Sequence, residues 1–526
     1  MRKRLALLLA GSMLTGLLGG CAGSSQKPPA TGAGTETVAP ASGGQETNAG
    51  QETKGPQEET KEQAGADPGK VQDADGQKVM DELYAQIADK QIELELWTGP
   101  DWKGVYDSSV EGGDYLDFFN FVKSEFEAKY PNIKVNPILI DGSQRAEKLA
   151  IAIQSGTLPN MYYESDFALS DYVHEGLMVP LDDIVTEEDR ADIPKSVWDS
   201  LELGGKTYIF PFSAEVGMMG INVSLFKEAG AESYLPKGDI GVWTPEEFKS
   251  ALEAVKGLDN CYPFAVFANS QQGDSFTNML LRMYGGKFVN DQGTEFTIND
   301  EKGVKALDLI VEMKNEGLLA PGGETLSHGD VYQMFLNKNL AVVTLNNLTY
   351  NNLVAGLKNG SIEEPFEFKW AYYPNEPGET DPYCLSYVKG GAIFNTGDEA
   401  ETIASKLFVR FFCSEPYTEA SKVLIPVRQS KLQELKDGNQ DIHIVEASEA
   451  LGHMVSITGR VPGYVSARSY YFPEIQAVLT GQKTPKEALD QFVKSANEAI
   501  SKAAKRSVIL KVGGQGVLGR QLDAST

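Results

Sequence analysis

Apolar residues follow two alternating spacings in the part of the chain after residue 90. Short apolar runs are typical of buried strands, whereas apolar residues at i, i+3, i+4 and i+7 are typical of amphipathic helices. Strands that alternate with helices indicate βαβ units and a largely parallel sheet, so the predicted fold class is α/β. The predicted elements are strands at 92–97, 133–140 and 161–163 and helices at 115–126 and 146–153.

The segment that carries this pattern, from about residue 90 to residue 504, is longer than one hydrophobic core usually supports. We therefore expect two lobes. In open parallel sheets, ligands bind at the carboxyl ends of the strands. The loops after Trp97 and Tyr163 are the first candidates for a binding site.

The N-terminus has a different pattern, with basic residues at 2–4 and an apolar run at 5–18. Such a run is shorter than the ~20 residues that a membrane-spanning helix needs, and it fits a secretory signal. The sequence Leu18-Gly19-Gly20-Cys21 resembles a bacterial lipobox. Residues 1–20 are therefore predicted to be a lipoprotein signal peptide, and Cys21 the lipidated residue that anchors the protein on the outer face of the cell membrane. The alternative is an ordinary signal peptide with an incidental cysteine.

Composition changes again after Cys21. Residues 22 to about 88 consist largely of Gly, Ser, Thr, Ala, Pro, Gln and Glu. Because so little apolar surface is available, we expect residues 21–89 to form a disordered tether. The formal net charge of the chain is −27, which argues against nucleic acid or an anionic membrane surface as a partner.

Motifs that would indicate a metal site or an enzyme are missing from the sequence. The four histidines are scattered, and Cys261, Cys384 and Cys413 lack metal-ligand spacing. The sequence contains no GxSxG, P-loop or HExxH motif, and no GxGxxG between a strand and a helix. We expect no cofactor, no metal and no catalytic residue, and we expect a buried structural thiol at Cys413.

Several short motifs follow one another along the globular part of the chain. They are SGTLPNMYYESD, EGLMVPLDDIV, GGKTYIFPFSAEVGMMGINVSLFKEAG, VWTPEEFKSAL, RMYGGKFVND, YYPNEPGE, GGAIFN, FVRFFCSEP and SYYFPEIQAVLTGQKTPKEALDQFVKSANEAI. Thr244 and Glu247 in one of them also form a capping box on their own terms. These segments resemble, in the same order, the extracellular solute-binding proteins of ABC sugar importers, the maltose-binding-protein-like group. Each motif is weak alone, but together and behind a lipobox they form a specific signal.

The resemblance implies a periplasmic-binding-protein fold with two discontinuous lobes and a hinge between them. It places the hinge crossings near Pro211, at 374–381 and within 430–455. Residues 506–526 form a tail to which the sequence assigns no role. The implied lobes are residues 90–211 plus 384–440 and residues 212–375 plus 441–505.

Sugar sites combine aromatic platforms with polar side chains that reach the hydroxyl groups. In the first lobe, the loops after the strands offer Asp101, Trp102, Glu164 and Asp166, although Glu164 and Asp166 could equally form a solvated acidic turn. Trp97, Trp198, Trp243 and Trp370 are predicted to be packing residues. The candidates of the second lobe are Gln271, Gln272, Asp274, Tyr350, Arg468, Tyr470 and Tyr471. The resemblance brings Trp102, Tyr350 and Tyr471 to one cleft, where we expect them to stack on the sugar.

We expect a monomeric receptor that captures a small polar ligand, a mono- or oligosaccharide, for the permease subunits of an ABC importer. Its only membrane contact would be the lipid anchor. Two alternatives remain: a lipid-anchored glycan hydrolase, because cleft carboxylates serve both binding and catalysis, and an adhesion or structural lipoprotein.

Overall fold

A computed structural model describes residues 74–106, 112–141, 144–269, 273–360, 362, 365–438, 442–455 and 461–518. The predicted signal peptide, Cys21, most of the predicted tether and the end of the tail lie outside the described residues. No helix in the described ranges is long and apolar enough to cross a membrane.

The strands of the described residues are β1 Ile92–Thr98, β2 Ile133–Leu139, β3 Met161–Ser165, β4 Glu202–Leu203, β5 Lys206–Thr207, β6 Ile209–Asn222, β7 Val342–Asn346, β8 Phe368–Ala371, β9 Cys384–Ile393, β10 Ile425–Pro426 and β11 Met454–Val455. Nine of them form one mixed sheet. Its order is β10-β6-β9-β3-β1-β2, with β7 and β8 paired to β6 and β11 paired to β9, while β4 and β5 form a separate hairpin.

Helices cover the sheet and join its strands. They are α1 Ala74–Ala85, α2 Asp117–Lys129, α3 Arg145–Ser155, α4 Asp166–His174, α5 Glu187–Asp192, α6 Lys195–Leu201, α7 Val223–Glu228, α8 Pro245–Val255, α9 Gly273–Leu281, α10 Glu301–Asn315, α11 His328–Leu336, α12 Asn347–Asn359, α13 Glu399–Phe412, α14 Gln429–Asp437, α15 Ile442–Glu449, α16 Tyr464–Ala467, α17 Tyr471–Leu479 and α18 Pro485–Leu518.

The first βαβ units confirm the elements predicted from the hydrophobic pattern. β1 pairs in parallel with β2 and with β3. Between β1 and β2, helix α2 buries the apolar face that its spacing predicted. Helix α3 ends at Gly156, whose φ of 70° is left-handed and therefore favours glycine. The mixed α/β architecture confirms the predicted fold class.

Two long strands, β6 and β9, run through the centre of the molecule. The first part of β6 pairs antiparallel with β9, and its last residues pair with β7 and β8. The two backbones come so close that a Cβ on Gly390 would lie 1.9 Å from the carbonyl oxygen of Phe210, so this crossing requires glycine. β6 therefore links β9, which pairs with β3, to β7 and β8.

The core consists of two clusters of buried side chains. The larger one contains Trp97, Trp198, Trp243 and Trp370, which confirms their predicted packing role. The smaller one lies around α2 and α13 and contains the buried thiol predicted for Cys413. This smaller cluster also contains residues of helix α1, which changes the predicted start of the folded domain.

Helix α1 corrects the predicted extent of the disordered tether. Residues 74–89 were expected to be disordered, yet Met80 and Ile87 are fully buried and Leu83 is 8 % exposed in the smaller core cluster. The Tyr84 hydroxyl also donates to Asn132 Oδ1 at 2.9 Å. The folded domain therefore begins near residue 74 rather than residue 90.

Candidate functional site

The carboxyl ends of β1 and β3 meet the centre of β6 and β9, and charged side chains converge there. Lys389 on β9 forms ion pairs with Asp101 Oδ1 at 2.5 Å and with Glu215 Oε1 at 2.6 Å. Glu164 on β3 forms an ion pair with Arg145 of α3. These five residues are called the ionic cluster below.

Burial and mutual attraction together set the charges of the ionic cluster. Burial raises the pKa of Asp101, and Lys389 counteracts only part of this rise. Burial alone would lower the pKa of Lys389, but Asp101, Glu215 and Glu164 raise it well above its ordinary value. The pKa of Glu164 is lowered, because Arg145 and Lys389 outweigh the effect of burial. Lys389 is therefore a permanent buried cation held by carboxylates.

Asp166 lies beside the ionic cluster at the first turn of α4. Its Oδ1 accepts a hydrogen bond from the backbone N–H of Val388 at 3.1 Å. Burial raises the pKa of this carboxyl to about 7, although backbone N–H groups partly oppose the shift. Asp101 is thus brought together with Glu164 and Asp166 in one buried region, although the sequence places Asp101 in the loop after the first strand and the other two after the third.

Phe167, the next residue, links α4 to other parts of the chain. Its ring centroid lies 5.6 Å from that of Tyr387 on β9 and 5.9 Å from that of Tyr464 on α16. The guanidinium carbon of Arg468 lies 4.6 Å from the Phe167 centroid. Arg468, a predicted site residue, therefore approaches the region of Asp166 by packing on an aromatic ring.

Three ring side chains pack against one another beside the crossing strands: Phe276, His328 and Tyr332. His328 lies 5.2 Å from Phe276 with an interplanar angle of 24°, and 3.6 Å from Tyr332 between ring centroids. A Cβ on Gly217 of β6 would lie 3.1 Å from the Phe276 ring, which places this wall directly against the crossing strands. Burial lowers the pKa of His328 to about 4, so the imidazole is neutral at physiological pH.

Polar atoms without a protein partner also occur near these strands. The Tyr162 hydroxyl, Ser386 Oγ and Asn347 Nδ2 are buried and make no hydrogen bond within the described ranges. Buried polar groups are nearly always hydrogen-bonded to protein, water or a ligand. Each of these atoms therefore has hydrogen-bonding capacity that the described residues leave unused.

The three predicted stacking aromatics are packing residues instead, which corrects the prediction. Trp102 packs against Phe118 and Tyr163, with centroid distances of 5.4 and 6.0 Å. Its side chain lies in the smaller core cluster and is 7 % exposed. No wide ring face remains for a sugar.

The rings of the other two lie in the larger core cluster. Tyr350 packs against Phe368 at 4.8 Å. Tyr471 packs against Phe492 at 5.3 Å. Tyr470, by contrast, is 44 % exposed.

The remaining second-lobe candidates stay predictions. Gln271 and Gln272 lie outside the described residues, and Asp274 lies in the first turn of α9. Sequence reasoning missed Glu215, Lys389 and Phe167. The signal for the first two was a charged residue inside an otherwise apolar strand, in SAEVGMM and SYVKGGAI.

A family model described as bacterial extracellular solute-binding protein matches residues 112–419. Among curated relatives, a binding protein of Brucella abortus (strain 2308) is 27% identical over 232 residues, 44% of this chain and 54% of that protein. An arabinooligosaccharide-binding protein of Bacillus subtilis (strain 168) is 22% identical over 264 residues, 49% of this chain and 56% of that protein. The chain thus spans about half the length of these relatives.

Solved structures share the fold. A solute-binding protein of Thermotoga lettingae bound to α-D-tagatose has a TM-score of 0.61 and 20% identity, covering 78% of this chain and 99% of that one. A sugar-binding protein of Xanthomonas citri has a TM-score of 0.63 and 17% identity, covering 79% and 99%.

Proposed function

The chain belongs to the family of bacterial extracellular solute-binding proteins, and we propose that it captures a mono- or oligosaccharide outside the cell for the permease subunits of an ABC importer. The observation that carries the proposal is the placement of the ionic cluster. It lies where the two crossing strands meet the carboxyl ends of β1 and β3, which is where open α/β sheets bind their ligands.

The chemistry of this region suits a polyhydroxylated ligand. Carboxylates accept hydrogen bonds from hydroxyl groups, and Lys389 and Arg145 donate to them. The stacked rings of Phe276 and His328 provide a neutral wall for the apolar faces of a sugar. The arabinooligosaccharides and tagatose of the two relatives are ligands of this kind.

Family members are binding proteins, and we propose that this chain likewise binds its ligand without converting it. The hydrolase alternative requires two carboxyl groups in specific roles, one of which must hold a proton that it can donate. In the ionic cluster, Asp101 and Glu215 share Lys389, and Glu164 is held by Arg145. These pairings favour fixed charges at Glu164 and Glu215, whereas Asp166 beside them holds a proton below about pH 7, so recovery of the saccharide intact or cleaved decides between the two functions.

We also propose that the protein is a lipid-anchored monomer. The lipobox at Leu18–Cys21 would attach the mature protein to the membrane through Cys21, as a monomer on a tether. Replacing Cys21 with alanine should move the protein from the membrane fraction to the medium or leave it unprocessed. A variant that is processed and retained like wild type would refute the anchor.

A saccharide screen tests the central claim. A ligand that binds the folded protein raises its stability by RT ln(1 + [L]/Kd), ~2.7 kcal/mol at a hundredfold excess over Kd. We expect a thermal shift with at least one mono- or oligosaccharide, which chromatography then recovers unchanged. Recovery of fragments would support the hydrolase, and no shift with any saccharide would contradict the proposal.

A further inference from the structure

The carboxylate of Glu215 is held at each of its two oxygens by a different residue. Its Oε1 forms an ion pair with Lys389 Nζ at 2.6 Å, and its Oε2 accepts a hydrogen bond from Asn346 Nδ2 at 3.4 Å. Lys389 Nζ in turn donates to Asp101 Oδ1 at 2.5 Å. These residues form a continuous polar network, called the crossing network below, from the loop after β1 through β9 and β6 to the last residue of β7.

Helix α12 fixes the orientation of the Asn346 amide, because Asn346 is its N-cap. Oδ1 of Asn346 accepts hydrogen bonds from the backbone N–H and the hydroxyl of Thr349, both at 3.0 Å. The amide cannot turn over without losing this cap, so its Nδ2 faces Glu215. The next residue holds the same strand, because Asn347 Oδ1 accepts from the backbone N–H of Val216 at 2.9 Å. Consecutive asparagines thus hold consecutive residues of β6.

Strand register places the crossing network beside the ring of Phe276. Lys389 lies opposite Ser213 of β6. Residues two apart on a strand point to the same face, so Ser213, Glu215 and Gly217 share one face of the sheet. A Cβ on Gly217 would lie 3.1 Å from the Phe276 ring. The network therefore borders the ring that the proposed function assigns to the apolar faces of a sugar.

The crossing network also sets the direction of a hydrogen-bond donor. An ammonium group has three N–H bonds. Two of those on Lys389 serve Asp101 and Glu215, and no residue within the described ranges accepts the third. Because the three bonds are arranged tetrahedrally, the two carboxylates fix the direction of the third. The Lys389 side chain is 10% exposed, which leaves an edge where a ligand hydroxyl can accept this N–H.

We infer that Asn346 is a positioning residue for saccharide binding. It holds the Glu215 carboxylate, and Glu215 together with Asp101 directs the third N–H of Lys389 toward a hydroxyl group of the ligand. A donor that is held in place before binding loses less conformational freedom when the ligand arrives. Asn346 therefore acts through Glu215 and not by contact with the sugar. This inference rests on the proposed function and adds a residue to its binding machinery.

Exchanging the two side chains tests this role, with a saccharide found in the screen as the ligand. Asn346→Asp keeps the N-cap acceptor but sets a carboxylate against Oε2 of Glu215. Glu215→Gln keeps the oxygen that faces Lys389 but sets an amide against Nδ2 of Asn346. We expect each single change to weaken binding at least about tenfold by calorimetry. In the double variant an amide again faces a carboxylate at unchanged net charge, so its affinity should return to within about threefold of wild type.

Asn395→Asp is the matched control. It adds the same charge in an exposed loop and keeps the oxygen that accepts from the Gly397 backbone N–H, so it should bind like wild type. Asn346→Ser keeps a good N-cap and removes the donor without adding a charge. It should also weaken binding, and it serves as the test if Asn346→Asp does not fold.

The melting temperature of each variant without ligand separates positioning from stability. Single variants that bind like wild type, whether or not they melt lower, would overturn the inference and leave the proposed function standing. The same holds for a double variant whose loss of affinity equals the product of the two single losses. If wild type binds no saccharide of the screen, the proposed function fails and the inference fails with it.

Discussion

Asp166 accepts a hydrogen bond from the backbone N–H of Val388, with 3.1 Å between its Oδ1 and the nitrogen. This contact joins the first turn of α4 to the crossing strand β9, one residue before the buried Lys389. A carboxyl group is thus fixed beside the ionic cluster by a backbone donor. Because burial raises its pKa to about 7, the contact has a consequence for stability.

Stability should depend on pH through Asp166. An aspartate has an ordinary pKa near 4 in the unfolded chain, so the folded protein holds this proton more tightly between pH 4 and 7. The contribution is fully present below the unfolded pKa and is lost as pH rises through the folded pKa, by at most about 1.36 kcal/mol per pH unit. Asp166→Asn cannot lose a proton and should show a smaller decline.

Urea unfolding of both proteins without ligand, from pH 4 to pH 8, measures this difference. Subtracting the two curves removes the contributions of other groups, such as Asp101 and His328. Parallel curves would show that Asp166 is ionised throughout or is not buried as described.

Met80 should be essential for the stability of the domain. It is fully buried where α1 packs on α13, and truncating a buried methionine to alanine costs about 2–5 kcal/mol. Glu82→Ala on the exposed side of the same helix should change stability by no more than about 0.5 kcal/mol. Denaturant unfolding compares the two variants, and equal stabilities would mean that α1 is not part of the core.

Truncation gives an independent test of the same boundary. A chain that starts at residue 74 should melt like one that retains the tether, because residues 22–73 have little apolar surface to bury. A chain that starts at residue 89 loses α1 and should melt several degrees lower. Identical melting temperatures of the two short chains would instead support a disordered tether that extends to residue 89.

Variants of two adjacent tyrosines at the start of α17 can distinguish a packing role from a binding role. Tyr471 is 1 % exposed and Tyr470 is 44 % exposed. Tyr471→Ala should destabilise the domain by about 3–5 kcal/mol, as large core aromatics do, whereas Tyr470→Ala should have little effect. A Tyr471→Ala protein that melts normally but no longer binds a saccharide would instead support the original stacking role.

The sequence predicted the elements whose hydrophobic spacing was long and clear. The apolar face of α2 and the glycine after α3 were sufficient signals, because both depend on local geometry. Helix α1 was missed although Val79, Leu83 and Ile87 have helical spacing, since this short pattern follows a long polar segment. Its burial also depends on α13, which lies more than 300 residues further along the chain.

The site was harder to predict because it depends on strand register. Lys389 reaches its partners since β9 sets it opposite Ser213 of β6, two residues from Glu215. No local pattern encodes that pairing. Aromatic residues next to polar ones indicated stacking platforms, but tertiary packing buried Trp102, Tyr350 and Tyr471.

Phe167 should couple ligand binding to the contact between α4 and α16. Tyr464 and Arg468 pack on its half-buried ring. We expect this packing to hold α4 and α16 together when a ligand is enclosed. Phe167→Ala should weaken binding of a saccharide found in the screen by about tenfold, ~1.4 kcal/mol, with little loss of stability without ligand.

Tyr172→Ala is the matched control, because Tyr172 lies on the same helix but packs against Phe394, with 5.9 Å between the centroids. Calorimetry gives the affinities, and small-angle scattering with and without ligand should show that the radius of gyration decreases on binding in wild type and decreases less in Phe167→Ala. If both variants bind like wild type, or if both lose affinity equally, Phe167 has no special role in enclosing the ligand.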